Sequence, residues 1–277
     1  MRVCLLAAGE TLPRWQADAL AHLLDHTDCE VTTVVYDEPE SDRTRTETIR
    51  RALELREWAV VATLNDAVAG PIPHEEHVPL SSVVDRGAIR ERSIDPRIVD
   101  GWKREIPAGV ADAVAEEADV AVRFGFGFLV GAMLSAPEHG VVSFHHGDLR
   151  EYRGQPMGFW EFVHGESTAG ITVQRLSETL DGGEIAALKR VDIDDAPTWE
   201  AVKRRQFDAS EDMLTRAVRA AERGDLREPA SLGDLYSHPR GRPVATFAVR
   251  NAFGRLREVF GTADGDTPAR LGESELR

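Results

Sequence analysis

Lysine is nearly absent from this sequence. Its 277 residues include Lys103, Lys189 and Lys203 against thirty arginines, and acidic residues outnumber basic ones by 48 to 33, for a formal net charge of −15. So little cationic surface argues against general nucleic-acid binding, which draws its affinity from displaced counterions. Excess carboxylate with almost no lysine fits a protein adapted to high salt, where self-repulsion is screened. An arginine-rich, high-GC genome gives the same composition. Cysteine is scarce too. Cys4 and Cys29 cannot build a disulfide framework, and Cys4 sits in an apolar run as a small core residue. No apolar stretch reaches the roughly 18 residues of a membrane span. The opening Met1-Arg2-Val3-Cys4-Leu5-Leu6-Ala7-Ala8-Gly9 is too short for a secretory h-region with a cleavage site. The expected location is cytoplasmic, with no membrane partner. Aromatics make up only 6% of the chain, so the core must come mostly from Ala, Val, Leu and Ile.

What is present alternates. Residues 2–7 read as a buried strand, 12–24 as a helix with Trp15, Ala19, Leu20, Leu23 and Leu24 on one side, and 30–36 as a second strand. That β-α-β opening predicts an α/β fold: a Rossmann-like open, mostly parallel sheet with helices on both faces. Residues 37–42 read as an acidic turn, 44–57 as a helix and 58–64 as a third strand. The proline-rich 71–79 reads as a loop, with His74 and His77 at a spacing that invites a metal but no helix to present both rings. Helix is expected over 107–117, strand over 118–124, a short helix to about 135, and strands over 140–144, 168–176 and 184–191. One long helix is expected over 198–222. From about residue 230 the pattern weakens, and 261–277 reads as a frayed tail. The domain reading is therefore 1–229 as the catalytic domain and 230–277 as a short basic extension.

Two segments carry chemistry. In Val142-Ser143-Phe144-His145-His146-Gly147-Asp148 a strand ends at a histidine, and the carboxyl ends of parallel strands face the ligand crevice of such sheets. In Leu180-Asp181-Gly182-Gly183 a carboxylate stands on a glycine turn, where backbone can approach a ligand. A histidine and an aspartate in one pocket suit acyl transfer to an amine: the amine loses a proton as it attacks, and the carbonyl oxygen gains charge. Read alone, both segments also fit a hydrogen-bonded strand end and an ordinary turn.

The order of motifs decides between these readings. Arg123-Phe124-Gly125-Phe126-Gly127-Phe128-Leu129 is followed by Ser143-Phe144-His145, Tyr152-Arg153-Gly154, Gly170-Ile171-Thr172 and Asp181-Gly182-Gly183. Residues 118–191 thereby resemble the catalytic core of the folate-dependent formyltransferases, which act on glycinamide ribonucleotide, methionyl-tRNA or amino sugars. The resemblance implies 10-formyltetrahydrofolate as formyl donor and no metal. It implies His145 as oxyanion stabiliser and Asp181 as proton manager. It implies a pterin site formed by Phe124, Gly125, Phe126, Gly127, Phe128 and Leu129 with Leu180 and Gly182. Tyr152, Arg153 and Gly154 resemble the tRNA and amino-sugar branch and are expected to bind substrate. The family's oxyanion-binding asparagine is replaced by Ser143. A second donor such as His146, a shift to another acyl donor or to hydrolysis, or folate binding without turnover would each accommodate that change.

Residues 236–257 hold five arginines and no acid, a local charge of +5 against −20 elsewhere. Either they dock a basic helix on an acidic domain, or Arg240 and Arg242 hold an anionic acceptor such as a nucleotide-linked amino sugar. A methionyl-tRNA substrate is disfavoured, since that branch carries a C-terminal β-barrel. Two rival motifs are near misses. Gly125, Gly127 and Gly131 are spaced wrongly for a dinucleotide fingerprint. His145, His146 and Asp148 could ligate a metal, but adjacent strand residues face opposite ways.

Overall fold

The computed structural model describes residues 1–37 and 57–261. The chain opens with strand β1 (Arg2–Ala7), the short β2 (Thr11–Pro13), helix α1 (Arg14–His26) and strand β3 (Glu30–Asp37). Helix α2 (Glu57–Ala69), strand β4 (His77–Pro79) and strand β5 (Arg90–Ile94) follow. Short strands β6 (Arg97–Val99) and β7 (Lys103–Glu105) lead into helix α3 (Ala108–Glu117) and strand β8 (Val120–Arg123). After β9 (Leu129–Val130) come β10 (Val141–His145), β11 (Tyr152–Gly154), helix α4 (Phe159–His164), and the long strands β12 (Thr168–Arg175) and β13 (Glu184–Asp192). Helices α5 (Trp199–Ser210) and α6 (Met213–Arg223), strand β14 (Asp234–Tyr236) and helix α7 (Arg242–Gly261) complete it.

Seven strands form one sheet in the order β13-β12-β10-β8-β1-β3-β5. Five are parallel, and β12 and β13 add an antiparallel hairpin at one side. Strand order reverses between β1 and β8, the switch point beyond whose strand ends such sheets bind ligands. Val3, Leu5, Val120, Val122 and Val142 point to the face covered by α1 and α6. Cys4, Leu6, Ala121 and Val141 point to the opposite face, with α3 and the 126–133 segment. Their alternation is the period-2 pattern of strands buried on both sides.

A third apolar cluster joins α2, α4, α5 and α7 through Trp58, Phe159, Phe162, Trp199 and Phe247. Residues 58–64, expected as strand, are helical. Trp58 is buried, while Val60, Leu64 and Val68 recur at helical spacing on the exposed side, so apolar residues on two faces imitated a buried strand. The long helix expected over 198–222 is two helices. Lys189 separates them, donating to the Ala209 carbonyl at 3.3 Å and the Asp212 carboxylate at 3.2 Å. The weakening beyond residue 230 is corrected by β14 and α7. Val244 and Phe247 anchor α7, but Val249, Phe253, Leu256 and Phe260 are exposed, which blurs its amphipathic pattern.

Residues 73–75 form a one-turn helix and β4 pairs with β2. His74 bonds Asp208 and His77 bonds Thr11. The helix expected over 44–57 lies outside the described residues except for its last one, as do most of the 37–42 turn and the tail beyond 261. No helix among the described residues is long and apolar enough to cross a membrane.

Candidate active site

Arg123 ends β8, and its register partner on β10 is Ser143, whose own partner on β12 is Gln174. His145 lies two residues beyond Ser143, so side-chain alternation puts all four on one face of the sheet. Ser143 is 2% exposed, Gln174 1% and His145 8%. This polar row closes the apolar face where the parallel strands end. Two residues further into the sheet, the same strands present the apolar Ala121 and Val141 on that face.

His145 Nε2 lies 2.9 Å from the Tyr152 carbonyl oxygen. A carbonyl only accepts, so Nε2 carries a hydrogen and donates it. That leaves Nδ1 as the ring atom able to take or give a proton. It faces Asp181 Oδ1 at 3.6 Å, an ion-pair separation longer than a hydrogen bond. Asp181 is itself fastened. Gly154 N–H donates to its Oδ2 at 2.9 Å, and the Gln174 amide approaches its Oδ1 at 3.4 Å. Its backbone is left-handed, with φ of 45°, a conformation aspartate tolerates better than most side chains. Gly183, two residues on, must be glycine, because a Cβ there would lie 1.9 Å from the Arg175 carbonyl oxygen. Its N–H donates to Gln174 Oε1 at 2.9 Å, so Gln174 ties both ends of the turn to β12.

The residues expected to bind ligand divide. Phe126 and Leu129 are core residues, each 1% exposed, so at those positions a ligand meets backbone alone. Phe128 stacks on Trp102 with ring centroids 5.0 Å apart, and Phe124 is partly buried against the opposite face of the sheet. Gly125 packs on the backbone of Ala7 and Ala8, and Gly127 and Phe126 have positive φ. No helix of length follows: after Gly131 there is one turn, Ala132–Ser135, which removes the pyrophosphate seat a dinucleotide fingerprint needs.

Arg153 spends its guanidinium on two carbonyls, Gly233 at 2.8 Å and Leu180 at 3.1 Å, thereby lashing the Asp181 loop to the C-terminal segment. The Tyr152 hydroxyl donates to Glu166 Oε1 at 2.9 Å and lies 3.0 Å from His164 Nδ1, and its ring stacks on Tyr236. Gly182 and Leu180 flank Asp181 on the same loop. Arg240 and Arg242 are exposed at the start of α7, where Gly241 N–H donates to Glu57. Further along α7, Arg250 lies over the Phe162 ring and Arg255 pairs with Glu200, so those two cations dock the helix.

His146 points away from the site. It is packed between Trp15 and Phe207 on the other face, and its Nε2 lies 3.1 Å from Ser210 Oγ. It therefore cannot serve as the second donor considered for the missing asparagine. Nor can it join His145 in holding a metal. Among the described residues no group of three His, Cys, Asp or Glu is placed to hold one.

Burial, with the neighbouring His145 adding to it, pushes His146 down to about 3. An exposed histidine titrates near 6.5, so between these values the unfolded chain binds a proton that the folded one does not. Stability is expected to fall as pH drops from about 6.5 toward 3. Asp148 adds a second, lower window. Burial raises it, but bonds from Arg150 and Arg190 outweigh that and hold it at about 2. Its stabilisation is lost only as pH falls from about 4 toward 2. Thermal melts between pH 7.5 and 4 should show the first window flattened in His146→Phe and unchanged in Asp148 variants. An unaltered slope in His146→Phe would assign it elsewhere.

Arg123 was missed by reading motifs, although it opens the first of the resembling motifs. Its Nε and Nη2 donate to Ser143 Oγ at 3.0 and 2.9 Å, and its Nη1 donates to the Gly127 carbonyl. Burial lowers its pKa, and the nearby Asp181 charge opposes that shift.

Comparison with known proteins adds the following. Residues 49–218, more than half the chain, match the sequence model described as formyl transferase. A methionyl-tRNA formyltransferase from Thermotoga neapolitana is 30% identical over 109 residues, 39% of this chain and 35% of that protein. One from Halalkalibacterium halodurans is 28% identical over 177 residues, 59% and 53% of the two chains. The chain thus spans about half, or less, of the length of these relatives. Among solved structures, glycinamide ribonucleotide transformylase 1 from Symbiobacterium toebii superposes with a TM-score of 0.52 at 18% identity, covering 85% of this chain and 94% of that one. A sugar N-formyltransferase from a Shewanella species gives 0.51 at 12% identity, covering 91% and 87%. At such identities the likeness is one of fold.

Proposed function

The chain belongs to the formyl transferase family, and from that premise we propose that it moves a formyl group from 10-formyltetrahydrofolate to a primary amine. The observation that carries this reading is the buried pairing of His145 Nδ1 with Asp181 Oδ1 at 3.6 Å. It lies at the crevice end of the parallel strands, beside a cationic donor. The acceptor nitrogen attacks the formyl carbon. A C–N bond forms, the carbonyl oxygen becomes an oxyanion, and the nitrogen must shed a proton. Asp181 and His145 Nδ1 carry that proton to N10 of the folate as the second C–N bond breaks. Fixing Nε2 on the Tyr152 carbonyl keeps Nδ1 turned toward the reacting atoms, so no side-chain search precedes the transfer.

Backbone at Gly125–Gly127 and the Leu180–Gly182 loop supports the pterin. A small anionic amine, such as a nucleotide-linked amino sugar, fits the exposed Arg240 and Arg242.

The test is 10-formyltetrahydrofolate consumption followed by absorbance, at several salt concentrations, without acceptor and with a panel of amines. Amine-dependent loss supports the proposal. Loss without any amine makes the protein a hydrolase. Folate binding without loss makes it a binding protein. Replacing Arg240 and Arg242 together should raise the KM of an anionic acceptor and reduce its salt dependence. An unchanged KM would remove them from the acceptor site.

A further inference from the structure

Resting on the formyl-transfer reading, we infer that Arg123 is a catalytic residue whose guanidinium donates to the formyl oxygen as negative charge develops there, with Ser143 as its positioning residue. Three observations lead to it. The first is placement: Arg123, Ser143 and His145 share one face of the sheet at the ends of two adjacent parallel strands. A group held by β8 therefore reaches the same crevice as the imidazole held by β10.

The second is the division of hydrogen bonds. A guanidinium has five N–H donors in a rigid plane. Ser143 Oγ takes two, from Nε and Nη2, and the Gly127 carbonyl takes one from Nη1. Two N–H groups, one on each Nη, have no partner among the described residues. Ser143 Oγ is consumed as an acceptor, and its own proton finds only the carbonyls of Arg123 and Phe144 at 3.5 Å. The serine is thus unsuited to donate to substrate and well suited to clamp the arginine. The Gly127 bond adds a second clamp, from the loop proposed to meet the pterin.

The third is charge. Arg123 pairs directly with no carboxylate among the described residues, whereas Arg2, Arg14, Arg86, Arg92, Arg150 and Arg190 each do. A part-buried cation with no carboxylate in contact, only the nearby charge of Asp181, is costly to keep, and that cost is offset further when the reaction supplies an anion. The oxyanion of the tetrahedral intermediate is that anion, and it forms and collapses within each turnover. The oxyanion donor has accordingly moved one strand over, from the position of Ser143 to its register neighbour. Replacement of asparagine by serine follows from this move, since an amide at 143 would offer donors of its own toward the guanidinium.

The experiment measures kcat and KM for 10-formyltetrahydrofolate in wild type, Arg123→Met, Arg123→Lys, Ser143→Ala and Arg123→Met/Ser143→Asn. Affinity for the unreactive 5-formyl isomer and thermal melting are measured in parallel. Arg123→Met should lose on the order of 10²–10³ in kcat with donor affinity within about threefold, and guanidinium chloride at tens of millimolar should restore at least about tenfold of it. Arg123→Lys and Ser143→Ala should fall between the extremes, because charge without the fork, or the fork without its clamp, is misdirected. The double variant should recover part of the loss. If Arg123→Met melts early, the lysine and Ser143→Ala variants carry the test. An active wild type with kcat unchanged in Arg123→Met, or with the whole loss in donor affinity, overturns the inference and leaves formyl transfer standing. A wild type that binds folate but never releases formyl overturns both.

Discussion

Asp181→Asn should keep its fold and its folate affinity and lose about 10²–10⁴ in kcat, the range of a lost acid–base group. The substitution is nearly isosteric, so the turn at residues 181–183 survives. The Gly154 N–H that now donates to Oδ2 at 2.9 Å demands an acceptor, which orients the new amide with its oxygen toward Gly154 and its NH2 toward His145. There the NH2 donates to the Nδ1 lone pair. An acceptor for the acceptor amine's proton is thereby exchanged for a donor, and the one titratable atom of His145 is capped. The loss should sit in kcat, since nothing that grips the folate changes. Steady-state kinetics with thermal melts decide it. A loss below about tenfold would mean that Asp181 is no more than a brace for the loop.

Gly154→Ala should be the most damaging single methyl group near the site. Gly154 has φ of 93°, and a Cβ there would lie 1.9 Å from the Tyr236 carbonyl oxygen. The contact is with the Tyr236 backbone, not with a flexible side chain that could swing aside. Backbone strain of this kind costs about 1–3 kcal/mol. Parting β11 from β14 adds to it, so a total of about 3 kcal/mol or more is expected, within the range of severe point mutants. For a chain of this size that is a drop of roughly 6–12 °C in Tm. Activity should fall further than the folded fraction does, because the same residue's N–H holds Asp181. Calorimetry alongside turnover per folded molecule tests both parts. A melt within about 2 °C of wild type would show that β14 yields easily.

The sequence was most readable where the physics is local. Residues 2–7, 118–124, 140–144, 168–176 and 184–191 announce themselves as strands because β-branched runs buried on both faces have few other homes. The structure has strands at each. His145 and Asp181, each compatible alone with an ordinary strand end or turn, stood out through the order of the motifs around them. Less readable were features whose cause is distant. Pairing of Tyr152–Gly154 with Asp234–Tyr236 involves three residues on each side, too few to leave a periodic trace. Arginine at a strand end ordinarily signals a side chain reaching water, and only its bonds to Ser143 and Gly127 set Arg123 apart. Helix α2 was concealed by apolar residues on both its faces, an ambiguity that hydrophobic spacing alone does not resolve.

The small ribbon of β11 and β14 makes the order of synthesis matter. Tyr152 finds its partner in Asp234, and Arg153 reaches the Gly233 carbonyl. Both lie downstream of every strand of the main sheet. A nascent chain can therefore complete that sheet, and look well formed, before the loop bearing Asp181 is secured. A chain ending near residue 229 would hold every strand of the main sheet yet lack both anchors of that loop, the β14 partner and the Gly233 carbonyl.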